Sequence, residues 1–223
     1  MRVVLFGASG MVGQGVLREC LLDKDVEFVL SVGRTPISQK DPKLREIIQP
    51  DLTDLSGIES ELSGFDACFF PLGVSSAGMS EERYTALTYD LTISVAKTLE
   101  RLNPDITFVY VSGVNTDSTE RGSTMWARVK GRTENALLGL FKNPYMFRPG
   151  IIQPLHGIKS RTTSYRIFYA LFSPVIPLLR KFYPGYVTTT EQVGRAMINV
   201  ARRGYPKRIL EPSDIEAAAR GGA

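Results

Sequence analysis

The first thirteen residues read as a strand, a glycine-punctuated turn and the opening of a helix: Arg2-Val-Val-Leu-Phe6, then Gly7-Ala-Ser-Gly10-Met-Val-Gly13. Val12, Val16, Leu17, Cys20 and Leu21 follow at helical spacing. This order constrains the chain more than any other feature. Backbone N–H groups at a helix N-terminus point at one spot, and the helix dipole favours an anion there, so such a turn suits a pyrophosphate. Gly7 permits the tight turn, Gly10 lets the backbone approach the phosphates, and Gly13 lets the helix pack close to the strand. Ser9, Met11 and Val12 fill the same turn and complete the expected phosphate-side contacts. The competing reading is a glycine-rich β-to-α turn that binds nothing.

Strands and helices then alternate. Val26–Val32, Leu44–Gln49, Phe65–Phe70, Ile106–Ser112 and Tyr145–Arg148 read as strands, and Ser80–Leu102, Ser123–Phe141 and Thr190–Arg202 carry helical periodicity. Near-continuous apolar runs such as Val26–Val32 suit strands buried on both faces. The alternation predicts an α/β fold with a doubly wound parallel sheet, with ligands bound beyond the carboxyl ends of the strands. A chain of 223 residues, 43% of them hydrophobic, buries about 70% of its unfolded surface in one core. We therefore expect a single domain, with residues 1–150 as cofactor-binding core and 151–223 as a small substrate-side lobe.

The formal net charge of +4 is mild, and no basic run resembles a nucleic-acid footprint. One histidine and two separated cysteines make no metal-ligand set. Cys20 and Cys68 read as buried free thiols, and with no signal peptide in view the expected setting is a reducing cytoplasm. After Pro149 the texture changes. Pro154, Pro174, Pro177 and Pro184 punctuate an apolar stretch flanked by Lys159, Arg161 and Arg166 on one side and Arg180 and Lys181 on the other. It is too broken to cross a bilayer, which takes about 20 apolar residues. A packed cover over the cleft, a homodimer surface through 164–182 and a peripheral membrane contact stand as its readings.

The second strand ends Ser31-Val32-Gly33-Arg34-Thr35. In NAD-binding proteins of this type a carboxylate at that end holds the adenine ribose hydroxyls. Here the position offers Arg34, whose planar charged fork suits a phosphate dianion. NADP(H) is therefore expected over NAD(H), with Ser9 a further donor to the same phosphate. Asp51, followed by Leu52, either bonds the adenine amino group, with Leu52 against the ring, or serves as a turn or helix cap. Gly73, after Leu72, either lets the chain pass close to a ribose or makes a plain turn.

Gly7-Ala-Ser-Gly10-Met-Val-Gly13, Gly33-Arg34, Leu72-Gly73, Val111-Ser112-Gly113, Val129-Lys130-Gly131 and Phe147-Arg148-Pro149-Gly150 occur in that order. In this the chain resembles the atypical short-chain dehydrogenase/reductase family, which includes NAD(P)-binding epimerase/dehydratase-like proteins and small members similar to the oxidoreductase-like Tat-interacting protein. The resemblance implies a nicotinamide dinucleotide bound to a Rossmann fold, with Pro149, Gly150, Ile151 and Ile152 bordering the nicotinamide. It also implies a small carbonyl or sugar-like substrate. The family uses a Ser that orients substrate, a Tyr that exchanges the proton, and a Lys one turn later that holds the nicotinamide ribose. Ser112 matches the Ser and Lys130 the Lys, but Trp126 occupies the Tyr position. Indole N–H only donates and does not ionise in this range, so it cannot relay a proton. Ser112, a water or His156 would have to replace the phenol; Tyr84 and Tyr89, on or near the helix after the fourth strand, and Tyr165, after the sixth, are further candidates. Other readings remain open: a strand-end cap for Ser112, a surface ion pair with Glu134 for Lys130, core packing for Trp126. So does a second function, a cofactor-binding sensor or interaction protein without turnover.

Overall fold

The computed structural model describes residues 1–158 and 186–222. Seven strands form one parallel sheet: β1 (Arg2–Phe6), β2 (Phe28–Gly33), β3 (Leu44–Ile48), β4 (Ala67–Phe70), β5 (Thr107–Val111), β6 (Asn143–Phe147) and β9 (Ile209–Leu210). Their order across the sheet is β3-β2-β1-β4-β5-β6-β9. The chain winds outward from β1 to β3, then returns to the other side of β1 and winds out through β4 and β5. The order reverses between β1 and β4, and there the loops leaving the two strands diverge and open a crevice. Two further strands, β7 (Ile151–Gln153) and β8 (Val187–Thr189), pair in parallel beside the main sheet.

Both faces of the sheet are covered, and the alternation of side chains along each strand divides the core in two. Val3 and Leu5 of β1 and Phe69 of β4 face one cluster, built with α1 (Met11–Leu22), α5 (Thr190–Arg203) and α6 (Pro212–Ala219). Val4, Phe6 and Phe70 face the other, with Leu99 of α3 (Leu91–Leu102) and Leu137 of α4 (Met125–Leu140). An aromatic row crosses this second face. Ring centroids are 5.5 Å apart for Phe6 and Phe70, 5.7 Å for Phe70 and Phe108, and 4.6 Å for Phe108 and Phe141. Cys20 and Cys68 are free, buried and on opposite faces, which leaves no route to a bond between them.

The doubly wound parallel sheet is as the sequence implied, with differences at the edges. The helix expected over 80–102 contains a π turn. Ser80 caps α2 (Glu81–Thr85), the π turn covers Ala86–Asp90, and α3 follows without a break. The last strand of the alternating run starts at Asn143, two residues before the expected start, because Pro144 is carried inside β6 opposite Phe108. A proline lacks a ladder donor and reads as a strand boundary. Strands β7, β8 and β9, of two or three residues, are too short to show a period. The chain after residue 150 rejoins the core: β9 adds to the main sheet beside β6, and α5 packs on α1. The 164–182 segment with its dimer and membrane-contact readings, and Tyr165, lie outside the described residues. Among the described residues no helix is long and apolar enough to cross a membrane.

Helix α4 is fixed by one close approach. A Cβ on Gly131 would stand 1.8 Å from the Asp117 carbonyl oxygen, whereas a Cβ on Gly139, two turns on, would meet nothing within 4 Å. Gly131→Ala should therefore lower unfolding stability by about 3 kcal/mol, since backbone rather than a flexible side chain must move. Gly139→Ala should raise it by about 0.5–1 kcal/mol through helix propensity alone. Urea denaturation of the two variants against wild type checks the contrast; equal effects would refute it.

Candidate functional site

The crevice at the carboxyl ends of β1, β2, β4 and β5 is a cleft of about 910 Å³. Its floor is the β1–α1 turn. Gly7 sits at φ +91°, and a Cβ there would lie 2.9 Å from the Leu72 backbone, so the loop after β4 is pressed against the turn. A Cβ on Gly13 would stand 1.9 Å from the Gly7 carbonyl oxygen. Gly13 therefore faces the turn rather than the cleft, and it allows α1 to start directly under the strand. Gly10 is the N-cap of α1, extended at ψ 164°, with no side-chain cap and no acidic residue in the first turn. The leading amides and the positive end of the dipole are thus left to the cleft, where Ser9, Gly10, Met11 and Val12 form its wall.

The adenosine-side expectations divide. Arg34 is exposed at the end of β2 and lines the cleft. Among the described residues it has no ion-pair partner. Leu52 is buried and lines the cleft, but Asp51 beside it does not. The Asp51 carboxylate accepts from the Thr53 amide at 2.8 Å and from its hydroxyl at 2.6 Å, and those bonds hold it below the usual carboxylate range. Of its two readings, the turn is the one the geometry displays. Leu72 and Gly73 line the wall opposite. Ser31, inside β2, and Ser75 and Ser76, in the loop after β4, also line the cleft. Nothing in their local pattern singled them out, because the fold alone brings them to the crevice.

At the other end lie Ser112, Trp126 and Lys130, with Pro149, Gly150 and Ile152. Ile151 is not among the lining residues; it pairs with Val187 in β7–β8. Two backbone bonds, Ser112 N–H to the Phe147 carbonyl at 2.8 Å and Val114 N–H to that of Pro149 at 3.0 Å, join the loops leaving β5 and β6. Gly150 lies against the chain at Tyr186, where a Cβ would stand 2.5 Å from the carbonyl oxygen. Trp126 and Lys130, one turn apart on α4, both reach the cleft.

The polar network behind this end does not display the alternative left open for Lys130, a surface ion pair with Glu134. Glu134 is fully buried. It accepts the Ser112 hydroxyl at 2.5 Å and a forked pair of bonds from the Arg148 guanidinium. Arg148 also donates to the Ser118 hydroxyl at 2.5 Å and reaches Glu211, at the start of α6, at 3.3 Å. Burial works against the Arg148 charge, but the two carboxylates more than offset it and hold its pKa above the ordinary value. Lys130 instead donates to the Ser112 carbonyl. Burial pulls its pKa down to about 8, with Glu134 opposing the shift. The i, i+4 spacing of Lys130 and Glu134 was visible in the chain; that the carboxylate turns inward to Arg148 was not. His156 does not line the cleft: its ring bonds Glu191 at 2.8 Å, at the start of α5. Tyr84, 2% exposed, does line it, on α2 packed against α4.

Removing one partner of a buried pair strands the other, so Glu134→Gln should cost about 3 kcal/mol in chemical denaturation. Lys130 carries the opposite sign. Its pKa is lowered on folding, so the cost of burying its charge is present in full below pH 8 and disappears as pH rises toward the unfolded value. Lys130→Met should therefore stabilise the fold at pH 7 by about 2 kcal/mol, after discounting for its partial exposure, and by progressively less up to pH 10.5. A destabilised Lys130→Met would contradict the assignment.

No protein-family model matches the chain. It is similar to the mitochondrial protein FMP52 of Meyerozyma guilliermondii, at 24% identity over 96% of this chain and 90% of that protein. It is similar also to the mitochondrial protein fmp52-2 of Aspergillus oryzae, at 25% identity over 97% and 96%. Among solved structures, a short chain dehydrogenase/reductase family oxidoreductase from Burkholderia thailandensis superposes with TM-score 0.66 at 17% identity, over 90% of this chain and 85% of that one. The Bordetella bronchiseptica enzyme WbmF, solved in complex with NAD+, superposes with TM-score 0.66 at 17% identity, over 98% and 77%. The fold is thus the Rossmann fold of the short-chain dehydrogenase/reductases, as the motif order implied. The cytoplasmic expectation is corrected by the names of the matched relatives, all four of them mitochondrial. Buried free thiols report a reducing environment and do not say which compartment supplies it.

Proposed function

We propose that this chain, which has the fold of the short-chain dehydrogenase/reductases, binds NADP(H) across the cleft and serves a hydride transfer to or from a small carbonyl or sugar-like substrate. The observation that carries the reading is the cleft's polarity. Arg34, a cation with no ion-pair partner among the described residues, stands at one end, an uncapped helix start in the middle, and Lys130 with Ser112 at the other. Gly7 and Gly13 keep the turn tight against backbone, and the uncapped start of α1 at Gly10 leaves its leading amides to a pyrophosphate, which is the fit a dinucleotide needs.

In this reading the amides at Gly10, Met11 and Val12 hold the pyrophosphate, and Arg34 with Ser9 holds a 2′-phosphate. Leu52, Leu72 and Gly73 flank the adenosine half. Lys130 holds the nicotinamide ribose, and Pro149, Gly150 and Ile152 border the ring. The bound dinucleotide supplies or takes up the hydride. The protein's own contribution is placement: Trp126 walls the reacting end, and Ser112 offers its oxygen there while its proton is held by Glu134. Ile151 and Asp51 act from behind the wall, through β7 and the turn at 51–53. The relatives' names favour a mitochondrial setting.

A second reading, a dinucleotide-binding sensor without turnover, is favoured by Trp126 at the position where the family places its ionisable phenol. Turnover of small aldehydes, ketones or quinones by the wild-type protein separates the two.

Trp126 is the only tryptophan, so its emission reports binding at the nicotinamide end. NADPH should quench it at lower concentration than NADH. Arg34→Ala should weaken NADPH by about 10- to 100-fold, the worth of a charge-assisted contact, and leave NADH within about threefold. Equal affinities in the wild-type protein would defeat the NADP(H) assignment, and no quenching or calorimetric signal with either dinucleotide would defeat the whole reading.

A further inference from the structure

Resting on the hydride-transfer reading above, we propose that the Lys130 amine is itself the proton donor and acceptor of this site, in place of the phenol that Trp126 displaces. The geometry sets aside all the alternatives but Tyr84, which also lines the cleft and is separated from Lys130 by the test below. Trp126 lines the cleft but does not ionise. Ser112 has one hydroxyl proton, and the acceptors within its reach are the Glu134 carboxylate and, at 3.1 Å, the Phe147 carbonyl, so that proton is aimed away from the cleft. His156 is outside the wall and bound to Glu191. Cys20 and Cys68 are sealed in the two apolar clusters. Among the described lining residues the ionisable groups are Arg34, Tyr84 and Lys130. Arg34 stands at the far end, and a guanidinium does not give up its proton in this range.

Lys130 has the donors for the task. An ammonium has three N–H bonds. One is spent on the Ser112 carbonyl, which fixes the side chain against the end of β5. Two remain, enough for a ribose hydroxyl and a substrate oxygen. The charged and titratable groups around it are Glu134 on its own helix, Arg148 behind Glu134 on the β6 side, Tyr110 on β5 and Tyr84 on α2. Glu134 is neutralised by Arg148 rather than by Lys130, so the lysine is not locked as a permanent cation. Its pKa near 8 keeps both protonation states populated near neutral pH, the condition for efficient proton exchange.

The step balances as follows. A carbonyl carbon accepts a hydride, with its two electrons, from a reduced nicotinamide dinucleotide, and the π pair of the C=O bond moves onto oxygen. That oxygen takes a proton from the Lys130 ammonium, leaving an alcohol, a neutral amine and the oxidised dinucleotide. Water then reprotonates the amine. Oxidation of the alcohol runs the same exchange backward and needs the amine neutral.

The test uses the full chain and two readouts. In the first, wild type, Lys130→Arg and Tyr84→Phe are assayed with NADPH and a panel of small aldehydes and quinones, and NADPH binding is followed by Trp126 emission. Lys130→Arg keeps a cation and a donor for the Ser112 carbonyl, so binding should stay within about threefold while kcat falls about 100-fold or more, the range for a lost acid–base group. Wild-type kcat for reduction should fall above pH 8, where the ammonium is lost, and Tyr84→Phe should retain most of it. In the second, acylation of Lys130 in the wild-type protein by acetic anhydride, read by peptide mass spectrometry, should rise with a midpoint near 8 rather than near the ordinary value of about 10.4. Lys130→Arg with near wild-type kcat, or loss of turnover in Tyr84→Phe alone, would overturn this assignment while leaving the hydride-transfer reading intact. An acylation midpoint above 10 would overturn it without reference to activity. A wild-type protein that binds NADPH and turns over nothing would remove the hydride-transfer reading, and this one with it.

Discussion

A carboxylate shut away from water must be matched, and Glu134 is matched by groups from two other parts of the chain. Ser112 brings the end of β5, Arg148 the end of β6, and through Arg148 the start of α6 is drawn in at Glu211. Helix α4 is thereby bolted to the carboxyl edge of the sheet. That bolt settles where Lys130 and Trp126 project, because both lie within two turns of Glu134 on the same helix. It also settles the Ser112 carbonyl, to which Lys130 is bound. A buried pair of this kind adds little net stability and penalises any other arrangement, so its main effect is on geometry.

The opposite end of the cleft is fixed by contact rather than charge. The Gly7 and Gly13 positions leave no room for a Cβ, so the β1–α1 turn, the first turn of α1 and the loop after β4 interlock. With that floor rigid, an uncapped helix start faces the cleft at a defined height. The two fixtures are independent, one steric and one electrostatic. Between them they hold the two ends of a cleft whose centre is the reversal of strand order beside β1.

Much of this was legible in the chain. The apolar strands alternating with helical stripes implied a parallel sheet, and the glycine spacing placed a phosphate-type turn at its first strand. Arg34 was readable because a carboxylate is absent at a position where one is expected. Lys130 and Trp126 came from the resemblance, which implies a lysine one turn after the proton-exchanging position. The readings that the chain left open share a cause. Asp51 and Glu134 are acidic residues whose partners are set by how the chain turns locally or packs inward, and a linear pattern does not report either. The short strands β7, β8 and β9 exist because neighbours offer them ladder bonds, which leaves no period of their own to detect.

What the chain determined by itself was the period and order of its elements, and hence a doubly wound sheet with its ligand edge at the strand ends, since backbone hydrogen bonding and apolar burial leave few other solutions. It also determined that an indole, Trp126, stands one turn before Lys130, because one side chain at one helical position suffices for that. Tertiary structure alone decided which polar groups satisfy one another. It turned Glu134 inward to Arg148, aimed the Ser112 hydroxyl as a donor at Glu134, and left the Lys130 amine half-buried at the cleft with donors to spare. Those choices depend on distances between residues far apart in the chain, and such distances come into being only when the sheet and helices pack.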